Sequence, residues 1–328
     1  TGALTVLGTS SFTTSADGAD INLDTTSNNL DGTVHVVTND NSNGDGVYAG
    51  NVTLAHSDAI EIGTVNSVTS SIKGNLKIDT SASNAIINDN GSIKVYGTTD
   101  LTATGASAFL NWNGNRHDLD GLVTASAHHV KINTSDDFYG TITARRGQIV
   151  INTDGGNITQ DGPWVAVSDT TVYAKKDSST YYDITLNNES NTFGGWHSSQ
   201  TGSSTYVVAG DEIKIRGKDV LVVSDHSFNV GESDVTGDLT LISDAAENGV
   251  NGGEFGIFDV AAEEDSDAIE VGENFSATTT GNNGEIDMGD LKVDGTIALT
   301  TVGSGAATIV NDDGIKFADS TVRGNLTA

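Results

Sequence analysis

The sequence predicts an all-β chain coiled as a parallel β-helix, a β-solenoid of roughly 14–16 rungs with loop insertions. Three observations predict it. A strand-corner-strand cassette returns along the chain. The apolar spacing between corners is two. The two-residue turns that would fold such short strands into hairpins are mostly missing.

The cassette is clearest from Ala85 to Thr102: an apolar strand, the corner Asn88-Asp89-Asn90-Gly91, the strand Ile93-Lys94-Val95, a corner at Gly97, and a third strand. Thr308–Phe317 nearly copies its first half. Asn157-Ile158-Thr159-Gln160-Asp161-Gly162 reads as a third version of the corner, and Gly2–Thr13 starts at its middle. Corner glycines thus mark long-period repeats near Gly2, Gly91, Gly162, Gly253 and Gly314 in one continuous β-helix over residues 1–328. A shift of 89 residues maps Leu4 to Ile93, Leu23 to Trp112 and Leu30 to Leu119, and so reads Trp112 as inward core. A closing signature, Gly-x-apolar-x-apolar, stands at Gly74–Ile78, Gly147–Ile151 and Gly237–Leu241.

Between corners, Ile21/Leu23, Ile93/Val95, Ile184/Leu186 and Ile213/Ile215 alternate with polar residues, as half-buried strands do. Glycine, Asn and Asp supply the corners. If each strand pairs with its copy one turn later, inward residues stack into aliphatic ladders and only the two ends expose strand edges. Turns of about 20 to 24 residues, stacked about 4.8 Å apart, give a rod roughly 70 Å long. Loops are expected to bulge from it at Thr38–Tyr48, Ala174–Tyr181, Trp196–Thr205 and Glu263–Asp267.

Composition bounds the function. The chain has 328 residues, no Cys and one Pro, so neither disulfides nor thiolate metal sites enter. Forty-five acidic residues against 15 basic ones give a net charge of −30. Phosphate backbones repel such a surface, which argues against nucleic acid as a partner. An anionic membrane surface is disfavoured likewise. No apolar run reaches the roughly 18 residues of a membrane span, so insertion is not expected. The chain opens at Thr1 without a signal peptide, the expectation for a processed form or an excerpt.

The motifs apolar-x-Asp-x-Gly-x-Leu-x-Val-x-Gly-Thr-Thr-x-Leu-Thr and Gly-Asn-Leu-Thr-Leu resemble the repeats of filamentous-haemagglutinin-type exoproteins of the two-partner secretion class. The resemblance is faint between Asp169 and Ser204. It implies a right-handed β-helix outside the cell, in an adhesin or surface fibre.

Candidate chemistry is sparse. Enzymes on this fold cluster carboxylates, or calcium with a basic residue, on consecutive turns; Asp136, Asp137, Arg145 and Arg146 are the candidates. The plainer reading makes them a solvated turn and a corner pair tied to local acids, and no enzymatic activity is expected. Asn39–Gly46 resembles the start of a calcium loop, with Asp40 and Asp45 as ligands, but the twelfth place is Gly50. Glu263, Glu264, Asp265 and Asp267 form an acidic run that could hold a divalent ion, and calcium is the one candidate cofactor. His128-His129 cannot both face one way on a strand. Asn51 and Asn325 head Asn-x-Thr glycosylation acceptors.

The ends suggest partners. The chain opens on Leu4 and Val6 of a corner and closes on Ile315, Phe317 and Leu326, the last within a closing signature. Uncapped β-helix edges predict either a slice of a longer rod or head-to-tail stacking of copies. The expected role is an extracellular structural protein of a surface fibre. A monomeric adhesin binding glycans or receptors through loops is the alternative, and a polysaccharide lyase or hydrolase the second.

Overall fold

The computed structural model describes residues 2–40, 49–193, 211–244, 256–259, 268–312 and 314–328. These form strands joined by corners, with no helix among them. All the ladders between named strands are parallel, each strand lying beside one from the next turn, as in a parallel β-helix. Internal contacts divide the chain into two units, Thr1–Gly156 and Asn157–Ala328.

The first unit keeps the cassette. Ile86–Asn90, Ile93–Val95 and Thr99–Ala103 are its three strands, beside Ile60–Gly63, Ser70–Ile72 and Leu76–Thr80 of the previous turn. Gly91 turns the corner at φ +97°, where an L side chain is strained and a Cβ would sit 2.4 Å from Thr64 Oγ1. In the next turn the first two strands fuse into Phe109–Leu119, which pairs with both Ile86–Asn90 and Ile93–Val95 and shifts register between Trp112 and His117. The corner has become a bulge.

The third face stacks Ile21–Leu23, Val52–His56, Leu76–Thr80, Thr99–Ala103, Val123–Ala127 and Phe138–Ala144. Leu23, Leu54, Ile78, Leu101, Ala125 and Ile142 form one column along it, and from Leu54 onward every member is buried. Such an aliphatic column removes apolar surface from water at every rung, about 25 cal/mol per Å².

The second unit repeats the scheme. Its third face stacks Ile158–Gln160, Ile184–Leu186, Val220–Ser224, Leu239–Ser243, Phe275–Thr279 and Ile297–Thr300. Gly256–Asp259 and Ile269–Val271 of one turn also give way to a single fused strand, Glu285–Val293, with a register shift between Met288 and Leu291.

Three sequence readings need correction. Turns are not uniform: on the third face they run from 17 residues (Val123 to Gly140) to 36 (Ile184 to Val220). The 89-residue register therefore fails. Leu4 lies beside residue 29, Leu23 belongs to the third face and Trp112 to the fused strand. Trp112 is nonetheless fully buried, as read. Second, Asn157-Ile158 opens a third-face strand rather than turning the Gly91-type corner. Third, the end signature sits on another face: Leu326 pairs with Ala307, while Phe317 bridges to Ile297. Gly-Asn-apolar fits either corner, so the motif alone does not choose.

Of the expected loops, 175–181 is a closed insertion, with Lys175 bridging antiparallel to Tyr181. Asp177 Oδ1 accepts from Ser179 N, Ser179 Oγ and Thr180 N, all at 2.9 Å. Most of Thr38–Tyr48, and all of Trp196–Thr205 and Glu263–Asp267, lie outside the described residues.

Candidate functional site

The most repeated polar constellation is the corner before the third-face strand. In the first unit Asp20 Oδ1 accepts from Asn51 N (2.7 Å), Asn51 Oδ1 from Asn75 N (2.8 Å), and Asn75 Oδ1 from Thr98 N (2.8 Å). In the second unit Asn157, Asp183, Asp219, Asp238 and Asn274 pass the same bond along to Thr296 at 2.9–3.3 Å. Each side chain satisfies a backbone N–H of the next turn, which a coil cannot satisfy at a bend. The preceding residue is often glycine because there is no room for more. A Cβ at Gly97 would lie 2.4 Å from Asn75 Oδ1 and 2.7 Å from Gly74 C.

This ladder accounts for Asn51. Its Nδ2, the atom a glycan would take, donates to Asp20 Oδ1 at 3.1 Å. Asn157 and Asn274 head Asn-x-Thr/Ser triplets for the same reason: corner Asn, inward apolar residue, outward hydroxyl. Asn325 is exposed.

A second lock was invisible in the sequence. Asn28 and Asn191 each sit five residues past the last residue of a third-face strand, buried to 2% and 0% exposure. Asn191 Nδ2 donates to Leu186 O, Val223 O and Gln160 Oε1, and its Oδ1 accepts from Trp164 N and Gln160 Nε2. Asn28 likewise donates to Leu23 O and Ala55 O and accepts from Leu4 N.

The bulge holds a strongly shifted imidazole. His117 is fully buried, with Trp112 tilted across it at 5.0 Å. Ile93 N donates to its Nδ1 at 3.3 Å, so the proton sits on Nε2, 3.7 Å from Asp89 Oδ2. Asn115 Nδ2 donates to that carboxylate at 2.7 Å, and Arg116 pairs with Asp154 beside the bulge. Burial outweighs Asp89's attraction and pushes His117 down to about 4 from 6.5. The folded state therefore prefers neutral His117. Its contribution is complete above pH 6.5 and is lost as pH falls toward 4, about 3 kcal/mol in all. Urea unfolding at pH 7 and pH 4 checks this: wild type is expected to lose more stability than His117→Gln, by roughly that amount. Equal losses would contradict it.

The enzyme candidates Asp136, Asp137, Arg145 and Arg146 are all exposed. Arg145 Nη2 donates to the Ala103 carbonyl, not to the expected local acid. Asp118 and Asp120 share a hydrogen bond, and burial, then Asp118, raises Asp120. That contact is shorter than the roughly 5 Å needed to flank a glycosidic bond. Lys94 is tied to Asp118 and lies over Tyr96, 4.6 Å from the ring centre, with Lys73 at 3.8 Å. His129 stacks on Phe109 (4.6 Å, 6°), with His128 edge-on to both. Trp164 is core.

No group of three or more His, Asp or Glu among the described residues could hold a metal ion. Asp40 is half-buried; Asp45, Glu263, Glu264, Asp265, Asp267 and Trp196 lie outside the described residues. No helix among the described residues is long and apolar enough to cross a membrane.

At the ends, Thr5–Val6 pairs only with Asn29–Leu30, and Leu326–Thr327 only with Ala307–Thr308, among the described residues. Leu4, Val6 and Ile315 are half-buried, and Phe317 and Leu326 are 43% and 47% exposed.

No curated protein and no solved structure matches the chain. Residues 1–37, 49–126 and 127–200, more than half of the chain, match a repeat family, and the chain belongs to that family, described as Repeats of unknown function (DUF5649).

Proposed function

We propose that this chain is a non-enzymatic structural protein working outside the cell, a subunit or segment of a surface fibre extended by β-helix stacking. The observation that carries the reading is the corner ladder: the most repeated polar side chains are spent on binding one turn to the next, not on an open site. The buried aliphatic columns, continuous from turn to turn, support it. The filamentous-haemagglutinin-like motifs agree with a fibre or stalk. The net charge of −30 keeps such a surface solvated and apart from anionic membranes.

Negative-stain electron microscopy of the purified chain at micromolar concentration, with calcium and with chelator, tests the reading. Filaments of constant width are expected, and their loss in chelator would place calcium at the joint. Isolated particles in both conditions would overturn assembly and favour a monomeric adhesin that binds glycans or receptors through its loops.

A further inference from the structure

The third face of the second unit is free of charge. Its strands Ile158–Gln160, Ile184–Leu186, Val220–Ser224, Leu239–Ser243, Phe275–Thr279 and Ile297–Thr300 contain no Asp, Glu, Lys or Arg. The chain as a whole has 45 acidic and 15 basic residues. Strands of the other sheet in the same unit carry Lys214, Arg216, Asp234, Glu270 and Lys292.

Alternation turns part of each third-face strand outward. Leu221, Thr240, Ile242, Ser276 and Thr278 hold such places and are half-buried. Carboxylates stand at the corners on either side: Asp183, Asp219 and Asp238 before the strands, Asp225 and Asp244 after them. A charge-free centre inside a charged rim is the anatomy of a protein interface. The outward places hold no aromatic ring to stack on a sugar and no charge to bind an ionic ligand. Such a face fits one like itself, since sheets pack about 10 Å apart through their side chains.

We infer that the third face of the second unit pairs side by side with the same face of a second copy, about a two-fold axis. This lateral pairing does not depend on end-to-end stacking. It brings two acidic rims together, so it strengthens as salt screens them, the reverse of a joint held by ion pairs. Strands about 4.8 Å apart and about 17 Å long give roughly 400 Å² per copy, below the roughly 800 Å² of a stable interface, so the pair exchanges and is best trapped.

Cysteine trapping tests the pairing in the full chain, which has no Cys of its own. Thr240→Cys places a thiol on Leu239–Ser243, in the middle of the face and near the axis. A bismaleimide spanning about 10 Å should join two copies through it in about 0.5 M NaCl, where charges are screened beyond about 4 Å. Low salt, or added Leu221→Glu/Thr278→Glu, should cut the product at least about tenfold. Thr171→Cys, at an outward place on the other sheet, should give only background. Circular dichroism checks that each chain folds, and the contrast between the two cysteines stands without the glutamates. No product through Thr240→Cys at any salt, equal product through Thr171→Cys, or product unchanged by the glutamates in a folded chain would overturn the pairing. Filaments that form without this product would leave stacking in place; product without filaments would keep the pairing and remove the stacking.

Discussion

Replacing Asn191 with alanine should cost about 3 kcal/mol or more, at roughly 1 kcal/mol or above for each of three buried backbone bonds lost. Three backbone groups in the interior lose their bond to the Asn191 amide: Trp164 N, Leu186 O and Val223 O. Gln160 also loses two bonds but lies half-buried and can turn toward water. Alanine leaves a cavity that two neighbouring turns cannot collapse into without breaking their ladder. Asn28→Ala should behave alike, since Leu4 N, Leu23 O and Ala55 O depend on it. Asn187→Ala, on the exposed loop beside Asn191, should stay within about 0.5 kcal/mol. Urea denaturation compares the three, and a loss below about 1 kcal/mol at Asn191 would mean that the lock is dispensable.

Gly97→Ala should cost about 2–4 kcal/mol through steric strain, in a fold where most single changes cost less. The added Cβ would meet Asn75 Oδ1 at 2.4 Å and Gly74 C and O at 2.7 Å. The amide can swing away only by releasing Thr98 N, which it accepts at 2.8 Å. The backbone can retreat only by stretching the Gly97 N to Gly74 O bond, now 3.0 Å. Either route opens one corner of the coil. Gly2→Ala, with nothing within 4 Å of its Cβ position, is the neutral control. Equal melting temperatures for the two variants would refute this account of the corner.

These two residues mark what the sequence could and could not disclose. The fold class was readable because a period of two with glycine corners admits few alternatives, and the strands of the 85–102 cassette fall where that pattern puts them. The inward place of Trp112 was read correctly through a wrong register. Pairing follows the turn, and turn length varies freely once loops such as 175–181 bulge out. Gly97 belonged to a visible motif, but its partner Asn75 was a neighbour only in space. Asn191 gave no local signal at all. In a chain so rich in Asn, an inward amide five residues past a strand looks like any loop amide until its carbonyl partners are placed. The bulge was hidden for a like reason: Asp89 and His117 are far apart in sequence and meet only because two strands fuse.

Single-molecule pulling of the first unit tests most directly that turn-on-turn locking sets the mechanical work. The absence of native Cys allows unique handles at Ala16 and Arg146, both exposed. Nearest-neighbour locking predicts sequential release, one turn at a time. The extension steps should match third-face turns between 17 residues (Val123 to Gly140) and 31 residues (Ile21 to Val52). In Gly97→Ala the step that frees the Leu76–Thr80 and Thr99–Ala103 pair should fall to lower force. A smooth extension at low force without steps, unchanged by Gly97→Ala, would contradict the account.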